Sequence, residues 1–141
     1  MQLRTYSKDS KKMKINVTID VSREVLENIF VTALEGGSNY WCEFSDEAVA
    51  IVNKTIPKTE CSAFSERVFK AVYDGEATIP IHDAEDGELI GELSKDKFQE
   101  RLEVCANQAL WALQEEIDER GDAASSDVVF QYLTMGEFVY G

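Results

Sequence analysis

Hydrophobic residues along this chain change their spacing several times, and each change marks an element. From Lys14 they alternate: Ile15, Val17, Ile19 and Val21 share one face, and Asn16, Thr18 and Asp20 the other. That period of two predicts a half-buried strand over residues 14–21. Ser22 then offers an N-cap, and Leu26, Ile29, Phe30, Ala33 and Leu34 fall at helical spacing. Gly36 and Gly37 are expected to stop this helix, since glycine accepts the left-handed conformation found just beyond helix ends. After the turn Ser38-Asn39-Tyr40-Trp41, the short β-branched run 48–53 predicts a second strand.

Residues 62–74 repeat the helical pattern through Phe64, Val68, Phe69, Val72 and Tyr73. Runs at 77–81 and 88–93 flank the turn-rich His82-Asp83-Ala84-Glu85-Asp86-Gly87 and predict a β-hairpin. Ser94 stands before a stripe of Phe98, Leu102, Cys105, Ala109, Leu113 and Ile117, which predicts one long helix from 95 to 119. Further on, Val128-Val129-Phe130 suits a strand, but Ser126 as cap and Gly136 as stop favour a short helix. Phe138 to Tyr140 is expected to return to the sheet. The first dozen residues are polar and aperiodic, so residues 1–13 are expected to form a flexible tail ahead of one domain, 14–141. The order β-α-β-α-β-β-α-α predicts an α+β fold, a small, mostly antiparallel sheet packed by three or four helices.

Charge adds the strongest functional constraint. The chain of 141 residues carries a net charge of −13, unevenly placed. Residues 1–14 hold five basic side chains against one acid, whereas residues 83–141 hold four bases against fifteen acids. Such a surface repels phosphates and anionic lipid, because binding either needs clustered Lys and Arg. Direct binding of nucleic acid or membrane is therefore not expected, while a basic protein surface would be attracted at long range. The three cysteines, Cys42, Cys61 and Cys105, are odd in number and widely spaced, which fits reduced thiols in a cytoplasmic protein. The basic N-terminus has no apolar segment behind it and does not resemble a secretory signal.

Three features invite a functional reading. His82 with Asp83, Glu85 and Asp86 brings an imidazole and carboxylates together, but without calcium-loop spacing, so a solvated hairpin turn is expected rather than a metal site. No GxSxG, HExxH, GxxxxGK or GxGxxG motif occurs, and Ser22, Ser62 and Ser94 sit where helices need caps, so no cofactor and no catalysis are expected. Tyr40 and Trp41 after the glycine pair either anchor a partner or seal the sheet edge. Finally, Glu100, Glu103, Glu115, Glu116, Asp118, Glu119 and Asp122 recur along the 95–119 segment and just beyond it. Carboxylates crowding a helix C-terminus oppose the helix dipole, which hints at a purpose beyond solubility, such as imitation of a phosphate backbone.

The blocks Glu35-Gly36-Gly37-Ser38-Asn39-Tyr40-Trp41, Ile81-His82-Asp83-Ala84-Glu85-Asp86, Asp127-Val128-Val129-Phe130-Gln131-Tyr132 and Gly136-Glu137-Phe138-Val139-Tyr140-Gly141 resemble, in order and spacing, a family of small acidic bacteriophage and prophage proteins without assigned activity. The resemblance spans Lys14 to Gly141 and implies a protein made inside an infected bacterium. It implies a non-enzymatic binder of a host protein with a basic surface, of the anti-CRISPR or anti-restriction kind. The expected contact residues are the acids above with Asp83, Glu85, Asp86, Tyr40 and Trp41. An enzyme or metal protein centred on His82, or a self-assembling homo-oligomer, are the alternatives.

Overall fold

A hydroxyl cap starts the first helix. Ser22 Oγ accepts from the Val25 N–H at 3.1 Å, and helix α1 runs Arg23–Thr32. The computed structural model describes residues 12–141. The tail expected over 1–13 therefore lies outside the described residues, apart from Lys12 and Met13. A single π-type turn, Ala33–Gly37, carries α1 into the short strand β1, Cys42–Glu43. Helices α2 (Asp46–Thr55) and α3 (Phe64–Tyr73) follow, then the hairpin strands β2 (Ile79–Asp83) and β3 (Leu89–Leu93). A 3₁₀ turn at Lys95–Lys97 leads into α4 (Phe98–Gln108), α5 (Leu110–Ile117) and α6 (Ala123–Met135). The described residues form an α+β domain with six helices and one antiparallel sheet in the order β1-β2-β3.

Helix α6 forms the centre of the molecule. Ten consecutive residues, Ser125 to Thr134, are buried, and α1, α4, α5 and β3 all pack on it. A helix buried on every side belongs inside a core, and its polar residues there need partners. Its Phe130 meets Phe30 of α1 edge-on at 5.3 Å, and Phe30 reaches Phe69 of α3 at 5.2 Å and Phe98 of α4 at 6.0 Å. Such tilted aromatic contacts add about 0.5–1.5 kcal/mol each beyond burial. On the far side, the buried Arg67 of α3 donates to the Ile56 carbonyl at 3.1 Å and to Asn53, tying α3 to the end of α2.

Five expectations require correction. Residues 14–21 form no strand; they lie outside the sheet, with Ile15 81% and Val17 71% exposed. Alternation selects a face, but a strand also needs a neighbour, and no described strand pairs with this one. Residues 48–53 lie within α2, because Ser45 Oγ accepts from the Ala48 N–H, Asp46 and Glu47 fill the first turn, and Lys54 the last. The single helix expected over 95–119 breaks at Ala109 (φ −145°, ψ 50°), so that α4 and α5 can each lie against α6. Phe138 to Tyr140 does not return to the sheet. By contrast, α6 ends as expected, on Gly136 in the left-handed region (φ 80°), whose N–H donates to the Tyr132 carbonyl at 2.8 Å. It starts at Asp122 rather than at Ser126.

Strand β3 approaches α6 very closely. A Cβ placed on Gly91 would lie 2.4 Å from the Thr134 carbonyl oxygen, well inside contact distance. Gly91→Ala should therefore lower stability by about 1–3 kcal/mol through forced separation of β3 and α6. Chemical denaturation of the two proteins measures this, and an unchanged midpoint would mean the approach is not that tight.

Candidate functional site

The separate sequence blocks converge on one buried carboxylate. Asp127 lies in the first turns of α6, and its side chain receives four donors. Oδ1 accepts from Ser38 Oγ at 2.8 Å and Trp41 Nε1 at 2.7 Å. Oδ2 accepts from the Tyr40 hydroxyl at 2.6 Å and Gln131 Nε2 at 3.2 Å. A carboxylate offers about four acceptor positions, so this one is fully used. The turn after α1 supplies three of the donors, because Ser38, Tyr40 and Trp41 follow directly on Gly37, and a Cβ at Gly37 would lie 2.7 Å from the Ala123 carbonyl oxygen at the start of α6.

Gln131, one helical turn along, extends the network to the end of the chain. Its Oε1 accepts from the N–H groups of Val139 (2.9 Å) and Tyr140 (2.8 Å), while Nε2 donates to the Tyr140 carbonyl at 2.8 Å. The segment after α6 is thereby strapped down without joining the sheet. The Tyr140 ring stacks on Trp41, with centroids 5.3 Å apart and planes 7° from parallel. The Tyr140 hydroxyl reaches the acidic hairpin and donates to Asp83 Oδ2 at 2.5 Å. Asp83 Oδ1 accepts from the N–H groups of Glu85 and Asp86, and the Ala84 N–H donates to the Trp41 carbonyl at 2.8 Å. The hairpin turn is braced from within and from beneath.

The surroundings shift several ionisations. Burial, then donation to Asp127, pushes the Tyr40 hydroxyl up to about 12. Donation to Asp83, then burial, does the same for Tyr140. The same bond is the main reason Asp83 is held below the usual carboxylate range, helped by the two backbone donors. Burial pushes the Cys42 and Cys105 thiols up to about 12, which leaves them protonated at neutral pH and poorly nucleophilic.

The residues singled out from the sequence fall into separate groups. Trp41 is 1% exposed and belongs to the core, so it offers no contact surface, whereas Tyr40 shows a ring edge to solvent while its hydroxyl is engaged. Glu116 is buried as well and accepts from Ser125 Oγ (2.5 Å) and Ser126 Oγ (2.9 Å). Asp122 caps α6, accepting from the Ser125 N–H at 3.0 Å, and that backbone donor keeps its ionisation low. Because α5 ends at Ile117, Asp122 stands at a helix N-terminus, where an anion is favourable, rather than opposing a dipole. Asp118 pairs with Arg120 at 3.0 Å, and Glu119 takes the left-handed turn (φ 59°) after α5. Glu115 is half-buried on α5, and Glu100 and Glu103 lie exposed on α4. No hydrogen bond or ion pair joins these helix acids to Asp83, Glu85 or Asp86. Of the capping serines, Ser22 makes its bond, Ser94 makes none through its side chain, and Ser62 is not the N-cap of α3.

His82 faces Glu43 across β1–β2, and its Nδ1 is buried without a hydrogen-bond partner among the described residues. Both Asp83 oxygens turn instead toward the loop and Tyr140. Among the described residues, no group of three or more His, Cys, Asp or Glu is placed to hold a metal ion, and no helix is long and apolar enough to cross a membrane. Asp127, Gln131 and Tyr140 are the functional-site residues whose roles the sequence did not reveal. One signal was available: an aspartate and a glutamine four apart inside an otherwise apolar helix demand buried partners. Compared with known protein families, curated proteins and solved structures, the chain matches none.

Two outcomes follow. Asp127→Asn places an amide N–H against donors it cannot satisfy and should cost about 2–4 kcal/mol, read by denaturation followed through tryptophan fluorescence. The folded state prefers protonated Tyr40 and Tyr140. Their contribution is complete below the ordinary tyrosine value of 10.0 and is lost as pH rises toward about 12. Stability should fall across that window, and Tyr140→Phe should make the fall shallower; identical profiles for the two proteins would show that Tyr140 carries none of it.

Proposed function

We propose that this chain is a non-enzymatic binding protein that occupies a basic surface of a host protein, one that normally handles nucleic acid. The observation that carries this reading is the bracing of the acidic hairpin. Asp83, Ala84 and the backbone donors of Glu85 and Asp86 are all held, so the exposed Glu85 and Asp86 side chains stand on a fixed frame. The strap beside it leaves Phe138 46% and Val139 52% exposed, and the Tyr140 hydroxyl lies close enough to feel the charge of Glu85 and Asp86. Apolar side chains on a strap that is bonded to an acidic hairpin suit a partner surface that is both basic and apolar. Fixed carboxylates also lose little freedom on docking, which favours imitation of a phosphate row.

The resemblance to small acidic phage proteins supplies the setting, an infected bacterium, and the anti-CRISPR or anti-restriction class of target. Within this reading the hairpin and strap, not the helix acids, make the contact, because Glu116 and Asp122 already serve the fold. The test is capture from bacterial lysate on the immobilised protein, elution with rising salt and identification by mass spectrometry. A nucleic-acid-binding protein should be retained at low salt and released as salt increases. The double variant Glu85→Lys/Asp86→Lys and the single variant Phe138→Ala should each weaken binding of that protein by about tenfold or more. Retention unchanged by both variants would sink the proposal.

A further inference from the structure

The segment beside α4 and α5 has the alternating sequence of a strand but no partner. No backbone hydrogen bond ties residues 13–21 to any other described residue. Their unused N–H and C=O groups form a ready template for pairing with another chain. The apolar side chains are left in the same condition: Ile15 and Val17 are largely exposed, and only Ile19 and Val21 are half-covered. Alongside runs an open groove of about 960 Å³, to which Leu102, Ala106 and the exposed Leu110 contribute.

We propose that residues 14–20 pair antiparallel with the same residues of a second copy, about a twofold axis through Val17, making a homodimer. The sequence of the segment is complementary to itself in that register. Val17 meets its own copy, Ile15 lies opposite Ile19, and Asn16 opposite Thr18. All the apolar side chains then share one face, as directly opposed residues must. Lys14 of each chain stands opposite Asp20 of the other, so two opposite-charge pairs form at once, and both residues are exposed and available. A slip of one residue would oppose apolar to polar side chains and turn half of them to the wrong face. A slip of two toward Thr18 would remove both charge pairs.

The proposal goes beyond the hairpin reading and is independent of it, since Glu85→Lys/Asp86→Lys should leave the dimer intact. Sedimentation equilibrium over a concentration series reads it directly. The expected mass is twice that of the 15.9 kDa chain. Val17→Lys, at an exposed position, should yield a folded monomer by circular dichroism. Lys14→Asp and Asp20→Lys alone should each weaken the dimer by about tenfold, because each is felt twice across the axis. The double variant Lys14→Asp/Asp20→Lys should restore it. A wild-type chain that stays monomeric at every concentration, a dimer that survives Val17→Lys, or a double swap without rescue would each overturn the pairing.

Discussion

A single carboxylate inside an apolar helix sets the terms for this structure. Burying Asp127 without partners would cost far more than the helix gains, so four donors must be brought to it. They come from residues far apart in the chain: Ser38, Tyr40 and Trp41 in the turn after α1, and Gln131 on α6 itself. Satisfying that charge fixes the path from α1 to β1. The same helix, through Gln131, then holds the end of the chain against Trp41. Because neutral-to-charged hydrogen bonds in a dry interior are strong and directional, the node specifies one arrangement where packing alone would permit several.

From that node the constraint passes outward to the surface. Tyr140 stacks on Trp41 and reaches Asp83, and Trp41 accepts from Ala84, so the hairpin turn inherits the rigidity of the core. Acidic residues consequently divide by task. Asp127, Glu116 and Asp122 hold elements together, Asp83 and Asp86 accept backbone N–H groups of their own loop, and Glu85 is left to solvent. A net charge of −13 is thus only partly a surface property. Where anions sit at helix starts or beneath donors, they stabilise the fold, and the remainder shapes the field that a partner would meet.

Much of the fold was legible in local pattern. Ser22 opened α1, the stripe from Phe64 to Tyr73 formed α3, a hairpin formed where expected although β2 runs on through His82 and Asp83 so that the loop is only 84–88, and Gly136 closed α6. The errors share a cause. The alternation of residues 14–21 and the β-branched run of α2 each fit a strand, but strand formation depends on neighbours that no local pattern names. In α2 the Ser45 cap and the charges at both ends prevailed. The break at Ala109 was invisible because Ala is the best helix former, and only packing of α4 and α5 on α6 rewards bending there.

The sequence by itself determined the α+β class, the acidic field, several helix ends and the hairpin, all of which rest on interactions among residues close in the chain. Tertiary structure alone decided which acids are internal, that Trp41 is core while Tyr40 keeps an edge in water, and that the separate blocks form one site. The physical reason is distance along the chain. Asp127 lies 86 residues from Trp41 and Tyr140 57 from Asp83, and such pairs become neighbours only when the helices have packed.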